Sequence, residues 1–190
     1  MVELKKSLKA IKLISDKDAD LIASYFQKEI IRKGSKVINE GRTSRKSYFL
    51  KAGIIMCYVI DLKGGIVPTR FFTNSDFFND YLSFFEQTPS LENYEALTDC
   101  ILWSIDYDNV QYCFHNIPEF REWGRMLLTK NYAILNNKML DFHKKTAEER
   151  YTDLHNNYPQ IIENVPLNII ASYLGITKFT LSRIRNNRIF

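Results

Sequence analysis

The segment Leu167-Asn-Ile-Ile-Ala-Ser-Tyr-Leu-Gly-Ile-Thr-Lys-Phe-Thr-Leu-Ser-Arg-Ile-Arg185 has the spacing that decides the architecture of this chain. A small residue, Ala171, stands at the fifth position, where two helices must approach each other closely. Gly175 stands at the ninth position, where a turn needs the positive φ that glycine adopts without steric cost. Apolar residues fall on one face of both helices: Ile170, Leu174, Ile176, Leu181 and Ile184. This spacing predicts a helix-turn-helix, with an ordinary helical hairpin over a core as the alternative.

The second helix of this motif has a polar and cationic surface. Thr177 is a favourable N-cap, because its hydroxyl can accept a hydrogen bond from a backbone N–H of the first turn. The side chains that follow can reach DNA phosphates and base edges: Lys178, Thr180, Ser182, Arg183 and Arg185. We expect Arg183 to contact a base, and Arg185 and Arg188 to hold the phosphate backbone.

The net charge of the chain is concentrated in the same segment. The whole protein has 26 Lys and Arg residues against 22 Asp and Glu residues, a net charge of +4. Residues 164–190 contain no acidic residue and four cations, which are Lys178, Arg183, Arg185 and Arg188. These four account for the whole excess, so residues 1–163 carry no net charge. A basic surface confined to one motif is the electrostatic pattern expected of a DNA-binding module.

The composition argues against a disordered or membrane-spanning chain. With 190 residues, 45% of them hydrophobic and 14% aromatic, the chain can form one large domain or two modest ones. The longest apolar run, near residues 53–60, has the length of a strand, whereas a transmembrane helix needs about 18 apolar residues. The N-terminus lacks the pattern of a signal peptide, so we expect a cytoplasmic protein.

The cysteine and histidine residues lack the spacing of a metal site. Cys57, Cys100 and Cys113 include no C-x-x-C pair and cannot supply four thiolates within one chain. Cys57 and Cys100 lie in apolar strand-like runs, which predicts small core residues. The histidines, at positions 115, 143 and 155, share no ligand spacing. We therefore expect neither a metal nor a bound cofactor.

Periodicity divides the chain into a β-rich half and a helical half. Two amphipathic helices come first, and Ser15 caps the second one. Between Glu29 and Tyr107, seven or eight short strands rich in β-branched and aromatic residues are interrupted by a helical stretch near residues 77–85. This pattern predicts an α+β protein with an N-terminal β-sandwich or jelly roll.

The helical half contains a short helix at residues 109–115 and a long helix from Ile117-Pro118 to about Lys144. In the long helix, apolar residues recur at alternating steps of four and three, as in a coiled-coil seam: Leu128, Tyr132, Leu135, Met139 and Phe142. This seam either packs on the chain's own sandwich or joins two copies in a parallel homodimer that reads two half-sites. Thr146 and Glu149 form a capping box for the next helix, and Pro166 marks the start of the helix-turn-helix.

The order of these parts resembles the Crp/Fnr family of bacterial transcription regulators over nearly the whole chain. Residues 48–53 (Tyr-Phe-Leu-Lys-Ala-Gly) resemble the family's strand and glycine turn, and Glu40-Gly41 resembles an earlier turn. Residues 177–183 resemble the start of the family's recognition helix. There the residue that matches Arg183 usually reads a guanine, and those that match Lys178 and Phe179 flank it. Residues 149–151, 158–159 and 170–176 are similar to a subgroup common in Bacteroidetes.

The resemblance implies a division into three parts. Residues 1–116 would form a jelly-roll sensor domain like a cyclic-nucleotide-binding domain, residues 117–144 a long dimerisation helix, and residues 145–190 a helix-turn-helix DNA-binding domain. The implied partners are double-stranded DNA, a second copy of the chain, RNA polymerase and an unidentified small-molecule effector, with no membrane.

One departure from the family pattern concerns cyclic AMP. Members that bind it carry Gly-Glu-Leu followed by Arg-Ser, in which the glutamate takes the ribose hydroxyl and the arginine pairs with the cyclic phosphate. The aligned positions here form the candidate effector pocket: Asn79, Asp80, Tyr81, Ser90 and Leu91. Asp80 can keep the ribose contact, but losing the arginine removes a charge-assisted bond worth about 1.5–3 kcal/mol. Residues 87–100 contain no Lys or Arg, so we expect no response to cyclic AMP.

Further departures concern the wing and the metal-dependent branches. The family's β-hairpin wing after the recognition helix has no counterpart before Phe190, so we expect a DNA-binding domain that lacks it. Three cysteines cannot supply the four ligands of the oxygen-sensing branch. No histidine lies in the predicted roll, which gives no support for haem.

The leading hypothesis is therefore a homodimeric, sequence-specific DNA-binding transcription regulator that is not an enzyme. The alternative is a ligand-sensing or scaffold module of the same fold that has lost DNA binding. The missing wing and the altered effector positions support this alternative. Absence of salt-dependent DNA binding would favour it. A metal-dependent oxygenase of the cupin type would need two histidines and a carboxylate inside the roll, and the three histidines all lie after it.

Overall fold

The computed structural model describes residues 1–10 and 14–186, and it begins with two helices. These are α1 (Val2–Lys9) and α2 (Asp16–Ser24). Ser15 caps α2 as the sequence predicts, since its hydroxyl accepts a hydrogen bond from the backbone N–H of Asp18 at 3.1 Å. Leu4 and Leu8 of α1 are fully buried in the cluster of apolar residues that joins these helices to the rest of the domain.

The strands that follow form two four-stranded antiparallel sheets. They are β1 (Gln27–Ile31), β2 (Lys36–Ile38), β3 (Lys46–Ala52), β4 (Ile55–Ile60), β5 (Ile66–Phe72), β6 (Phe77–Phe78), β7 (Asn93–Ala96) and β8 (Cys100–Asp106). One sheet has the order β1-β8-β3-β6 and the other β2-β7-β4-β5. Apart from the β4–β5 hairpin, consecutive strands alternate between the two sheets. This two-sheet arrangement confirms the predicted jelly roll.

Apolar and aromatic side chains from both sheets fill the interior of the roll. The buried cluster consists of Ile38, Tyr48, Leu50, Ile55, Cys57, Phe78, Tyr94, Ala96, Cys100 and Leu102. Cys57 and Cys100 are therefore core residues, as predicted. Burial raises the pKa of the Cys57 thiol to about 11, so this thiol is protonated at neutral pH.

The aromatic run at residues 77–86 differs from the predicted helical stretch. Its first two residues form β6, which pairs with Tyr48 and Phe49 of β3. Helix α3 (Tyr81–Glu86) begins only after Asp80, whose carboxylate accepts a hydrogen bond from the Ser83 N–H at 3.1 Å. A run with apolar residues at most positions satisfies both the helical and the strand period. Pairing with β3, which is distant in sequence, decides between them.

The remaining helices are α4 (Tyr107–Asn116), α5 (Pro118–Lys144), α6 (Ala147–Asn157), α7 (Pro159–Asn164), α8 (Leu167–Tyr173) and α9 (Lys178–Asn186). Helix α4 begins earlier than predicted, because Asp106 caps it by accepting from the Asn109 N–H at 2.9 Å. The long helix α5 and the capping box of Thr146 and Glu149 are present as predicted. Helix α7 was not predicted. Pro159 ends α6 and also occupies the first position of α7, where proline is favourable.

The C-terminal helices pack directly against the β4–β5 side of the roll. The Phe71 and Tyr173 rings lie 4.7 Å apart between centroids, and the Ser172 hydroxyl donates to the Ile66 carbonyl at 3.1 Å. Ile54 joins the same buried cluster as the apolar residues of α6 to α9. Within residues 1–10 and 14–186, no helix is long and apolar enough to cross a membrane.

Candidate functional site

Helices α8 and α9 are joined by a tight turn with the glycine where the sequence requires it. Gly175 has φ +69°, and the Ile176 N–H donates to the Ala171 carbonyl at 3.0 Å, which closes the C-terminal end of α8. The Thr177 hydroxyl accepts from the Thr180 N–H at 3.1 Å and so caps α9 as predicted. Leu181 is fully buried beneath α9. The turn, the cap and the buried face all follow the predicted spacing.

The polar side chains of α9 lie on its outer surface. Thr177, Lys178, Phe179, Arg183 and Arg185 are exposed, with Phe179 at 72%. Two further predicted contact residues, Thr180 and Ser182, are half-buried, and Arg188 lies outside the described residues. Since α9 contains no acidic residue, its accessible face presents hydroxyl, amide, aromatic and cationic groups and no carboxylate.

The predicted seam lies exposed along α5. Its residues, Leu128, Tyr132, Leu135, Met139 and Phe142, have exposed fractions between 42% and 70%. The adjoining face of α5 contacts the chain's own roll: Trp123 is buried there, Asn131 donates to the Tyr81 hydroxyl, and Lys138 donates to the Thr69 carbonyl at 2.6 Å. Leu135 and Phe142 of the seam lie next to Lys138 and line one cavity with it. The roll therefore leaves the seam residues largely uncovered.

A cavity of about 520 Å³ lies where the roll, α5 and the C-terminal helices meet. Its walls include Arg70 of β5, Tyr81 of α3, Lys138 of α5 and Tyr173 of α8. The Lys138 amine lies 3.7 Å from the centre of the Tyr173 ring. Burial lowers the pKa of the Lys138 amine to about 8. The cavity falls in the size range of small-molecule sites, about 300–1,000 Å³.

Arg70 is a site residue that the sequence analysis missed. Its guanidinium donates to the Glu92 carboxylate and to the Tyr94 hydroxyl, the latter at 2.7 Å. The Arg70 and Glu92 side chains are only 19% and 22% exposed. The segment at residues 87–100 thus faces the Arg70 guanidinium on β5, but the Glu92 carboxylate already neutralises the charge of this guanidinium. No local pattern reveals this pair, because its members lie 22 positions apart in sequence.

The five predicted effector residues do not line one cavity. Asp80 caps α3 and accepts a hydrogen bond from the Ser90 hydroxyl at 2.5 Å, and both side chains are buried. Tyr81 lines the 520 Å³ cavity, whereas Leu91 is 70% exposed. Asn79 and Tyr81 also line a second cavity of about 300 Å³ with mainly aromatic walls. The Asp80 carboxylate is therefore occupied by internal hydrogen bonds.

Metal-binding geometry is absent from the part of the chain that the structure describes. Across residues 1–10 and 14–186, no three His, Cys, Asp or Glu side chains converge as a metal site would require. Cys113 is fully buried, and burial raises the pKa of its thiol to about 11.

The roll is similar to a described domain family. Residues 28–116 match the cyclic nucleotide-binding domain family. No curated protein matches the chain significantly.

Solved structures share the fold over most of the chain. A putative transcriptional regulator of the Crp/Fnr family from Eubacterium rectale superposes with a TM-score of 0.72 at 15% identity, covering 96% of this chain and 87% of that one. FixK2 from Bradyrhizobium japonicum gives a TM-score of 0.71 at 17% identity, covering 85% and 83%. The catabolite activator protein of Thermus thermophilus gives 0.60 at 17% identity, covering 95% and 85%. At these identities the likeness shows a common fold.

Proposed function

We propose that this chain is a transcription regulator of the Crp/Fnr type, which binds DNA as a homodimer through α9. The observation that carries the proposal is the outer face of α9, where exposed cationic and hydroxyl groups stand over the buried Leu181 with no acidic residue among them. Residues 1–116 act as the sensor domain, residues 117–144 as the dimerisation helix, and residues 145–190 as the DNA-binding domain. The proposal includes membership of the Bacteroidetes-type subgroup, a cytoplasmic location and no catalytic activity.

The exposed seam of α5 supports the dimer. Fully burying an exposed apolar side chain contributes about 1.5–3 kcal/mol. The five seam residues are still 42–70% exposed in the single chain, so a partner helix can gain roughly half of that per residue. A parallel pair of such helices places two copies of α9 on one side of a two-fold axis. This is the arrangement needed to read two half-sites about 34 Å apart on one face of DNA.

The cavity beside α5 is the effector site in this proposal, and its ligand is not cyclic AMP. Arg70 could pair with a cyclic phosphate only by giving up its contact with Glu92. The ribose-binding position is occupied as well, because Asp80 accepts from Ser90 and from the first turn of α3. Any ligand that reaches Arg70 must therefore compete with a carboxylate that is already in contact.

Selection of bound duplexes from a random DNA pool tests the proposal. The wild-type protein should select a two-fold-symmetric site. Arg183→Ala should weaken specific binding by about 1–3 kcal/mol, a loss of roughly 5- to 150-fold, and should leave non-specific binding nearly unchanged. Arg45→Ala, which removes an exposed arginine of the roll, is the matched control and should bind as wild type does.

Two results would contradict this function. Equal losses on specific and random DNA would show that Arg183 is not a base reader. Absence of any salt-dependent binding by wild type would favour a sensing or scaffold module instead, because phosphate contacts make the affinity fall steeply with salt.

A further inference from the structure

A single arginine of α6 joins the ends of two other helices. Arg150 Nη1 donates to the carbonyl of Lys145 at 2.7 Å, and its Nη2 donates to the carbonyl of Leu174 at 2.9 Å. Lys145 is the C-cap of α5 and Leu174 is the C-cap of α8. Helix C-termini have carbonyls without intrahelical partners and a partial negative charge, which suit the forked guanidinium.

The Phe142 ring fills the space between this arginine and the turn. The guanidinium carbon of Arg150 lies 4.8 Å from the centre of the Phe142 ring. On the turn side, a Cβ added to Gly175 would lie 3.0 Å from Phe142 Cε1, which is closer than carbon atoms normally approach. Phe142 thus differs from the other seam residues, because its ring also packs on the turn of its own chain. Arg150, Phe142 and Gly175 form what we call the hinge cluster.

The hinge cluster connects the long helix α5 to α9, so a small rotation at this cluster moves the side chains of α9. From Lys178 to Arg183 helix α9 advances about 7.5 Å at 1.5 Å per residue. A rotation of about 15° at the turn therefore displaces Arg183 by about 2 Å, which exceeds the tolerance of a hydrogen bond to a base. In a two-fold dimer both copies of α9 move, so the distance between half-sites changes by up to about 4 Å, roughly one base-pair step of 3.4 Å.

We propose that Arg150 is a positioning residue that fixes the angle between α5 and α9 and thereby sets the half-site spacing that the dimer accepts. This inference rests on the proposed function. Arg150 does not read DNA itself. It acts on two helix ends that a smaller or unforked side chain cannot reach together, so lysine does not replace it.

The first test compares Arg150→Met and Arg150→Lys with wild type on symmetric sites whose central spacer varies in single base-pair steps. Wild type should prefer one spacing over its neighbours by about tenfold or more, which corresponds to about 1.4 kcal/mol. In both variants this preference should fall below about threefold, while the base preference within each half-site and the dimeric mass by light scattering stay unchanged. Arg183→Ala is the matched control, and it should lower the affinity at every spacing by a similar factor, so that the ratio between spacings stays as in wild type. A variant that remains dimeric and keeps the wild-type spacing preference would overturn the proposal, as would full rescue by lysine.

A second test needs no DNA and separates failure of this inference from failure of the proposed function. Spin labels on Lys130→Cys in α5 and Lys178→Cys in α9 report the angle between these helices as a distance distribution. Wild-type cysteines do not compete for the label, because all three are buried. Excess unlabelled protein ensures that each dimer carries one labelled copy. Arg150→Met should broaden the distance distribution by about 2 Å or more, which equals the displacement of Arg183 for a rotation at the turn. An unchanged width would refute the positioning role even if no specific DNA site were found.

Discussion

Replacing Gly175 with alanine should destabilise the protein for two separable reasons. The first is the backbone, since φ +69° at this residue costs a non-glycine residue about 1–2 kcal/mol. The second is the new methyl group, which would lie 3.0 Å from Phe142 Cε1. Carbon atoms prefer about 3.5–4.0 Å, so the ring must shift against Arg150, and overpacking of this kind costs about 1–3 kcal/mol. We therefore expect a total loss of about 2–5 kcal/mol.

Gly34→Ala provides a matched control for the backbone term. Gly34 has φ +81°, and a Cβ added there would meet nothing within 4 Å. This variant should lose only the backbone term of about 1–2 kcal/mol. The difference between the two variants, about 1 kcal/mol or more, then measures the contact with Phe142.

Urea unfolding followed by helical circular dichroism measures both losses. In the double variant Gly175→Ala, Phe142→Leu, the smaller side chain should relieve the contact and recover about 1 kcal/mol relative to additivity. Equal destabilisation by Gly175→Ala and Gly34→Ala, together with an additive double variant, would refute the claim that the turn rests on Phe142.

Three further predictions concern the cavity and the seam. The folded chain releases the Lys138 proton at a pKa of about 8 and the unfolded chain near 10.5, so the unfolded state binds more protons between these values. The unfolding free energy of wild type, measured by urea titration, should therefore rise with pH in this window. The rise should exceed that of Lys138→Met by at most about 3 kcal/mol. Glu92→Gln leaves Arg70 without its carboxylate; it should cost about 1.5–3 kcal/mol of stability and give cyclic AMP binding that calorimetry can detect. Replacing Leu135 and Met139 with glutamate should convert the dimer to a monomer in light scattering and abolish specific DNA binding, because like charges would face each other in the seam.

Each of these outcomes has a result that would contradict it. A pH profile identical in wild type and Lys138→Met would show that the amine titrates as an exposed lysine does. If Glu92→Gln is folded but binds no anion, Arg70 is not a potential phosphate contact. The seam variant needs Leu62→Glu as its control, since Leu62 is fully exposed in the β4–β5 turn and this change should leave the dimer intact. A seam variant that stays dimeric would place the dimer contact elsewhere.

Local features of this protein could be predicted from the sequence because their causes are local. The caps at Ser15, Thr146 and Thr177 each bond to a residue three positions away. The need for positive φ at Gly175 follows from the tight spacing between two amphipathic helices. The bounds of α5 follow from Pro118 and from the apolar period.

The error in the β-rich half arises because the deciding contact is distant in sequence. The run at residues 77–86 is apolar at most positions, and only its pairing with β3 makes the first two residues a strand. The side chains at two expected effector positions are held by nearer contacts: Asp80 caps the helix that follows it, and the Ser90 hydroxyl donates to Asp80. Helix α7 was not predicted, because Pro159 both ends α6 and occupies the first position of α7.

The sequence alone determines the helix caps, the long helix α5, the turn glycine and the basic, acid-free surface of α9, because caps, periodicity and charge depend on residues within a few positions of one another. Only the tertiary structure decides that Glu92 neutralises Arg70 and that Arg150 holds the ends of α5 and α8. Arg70 and Glu92 are 22 positions apart in sequence, and Arg150 and Leu174 are 24 positions apart. No local pattern encodes which of such distant groups meet. Strand register and helix packing bring them within hydrogen-bond distance once the roll has closed and the C-terminal helices have packed against it.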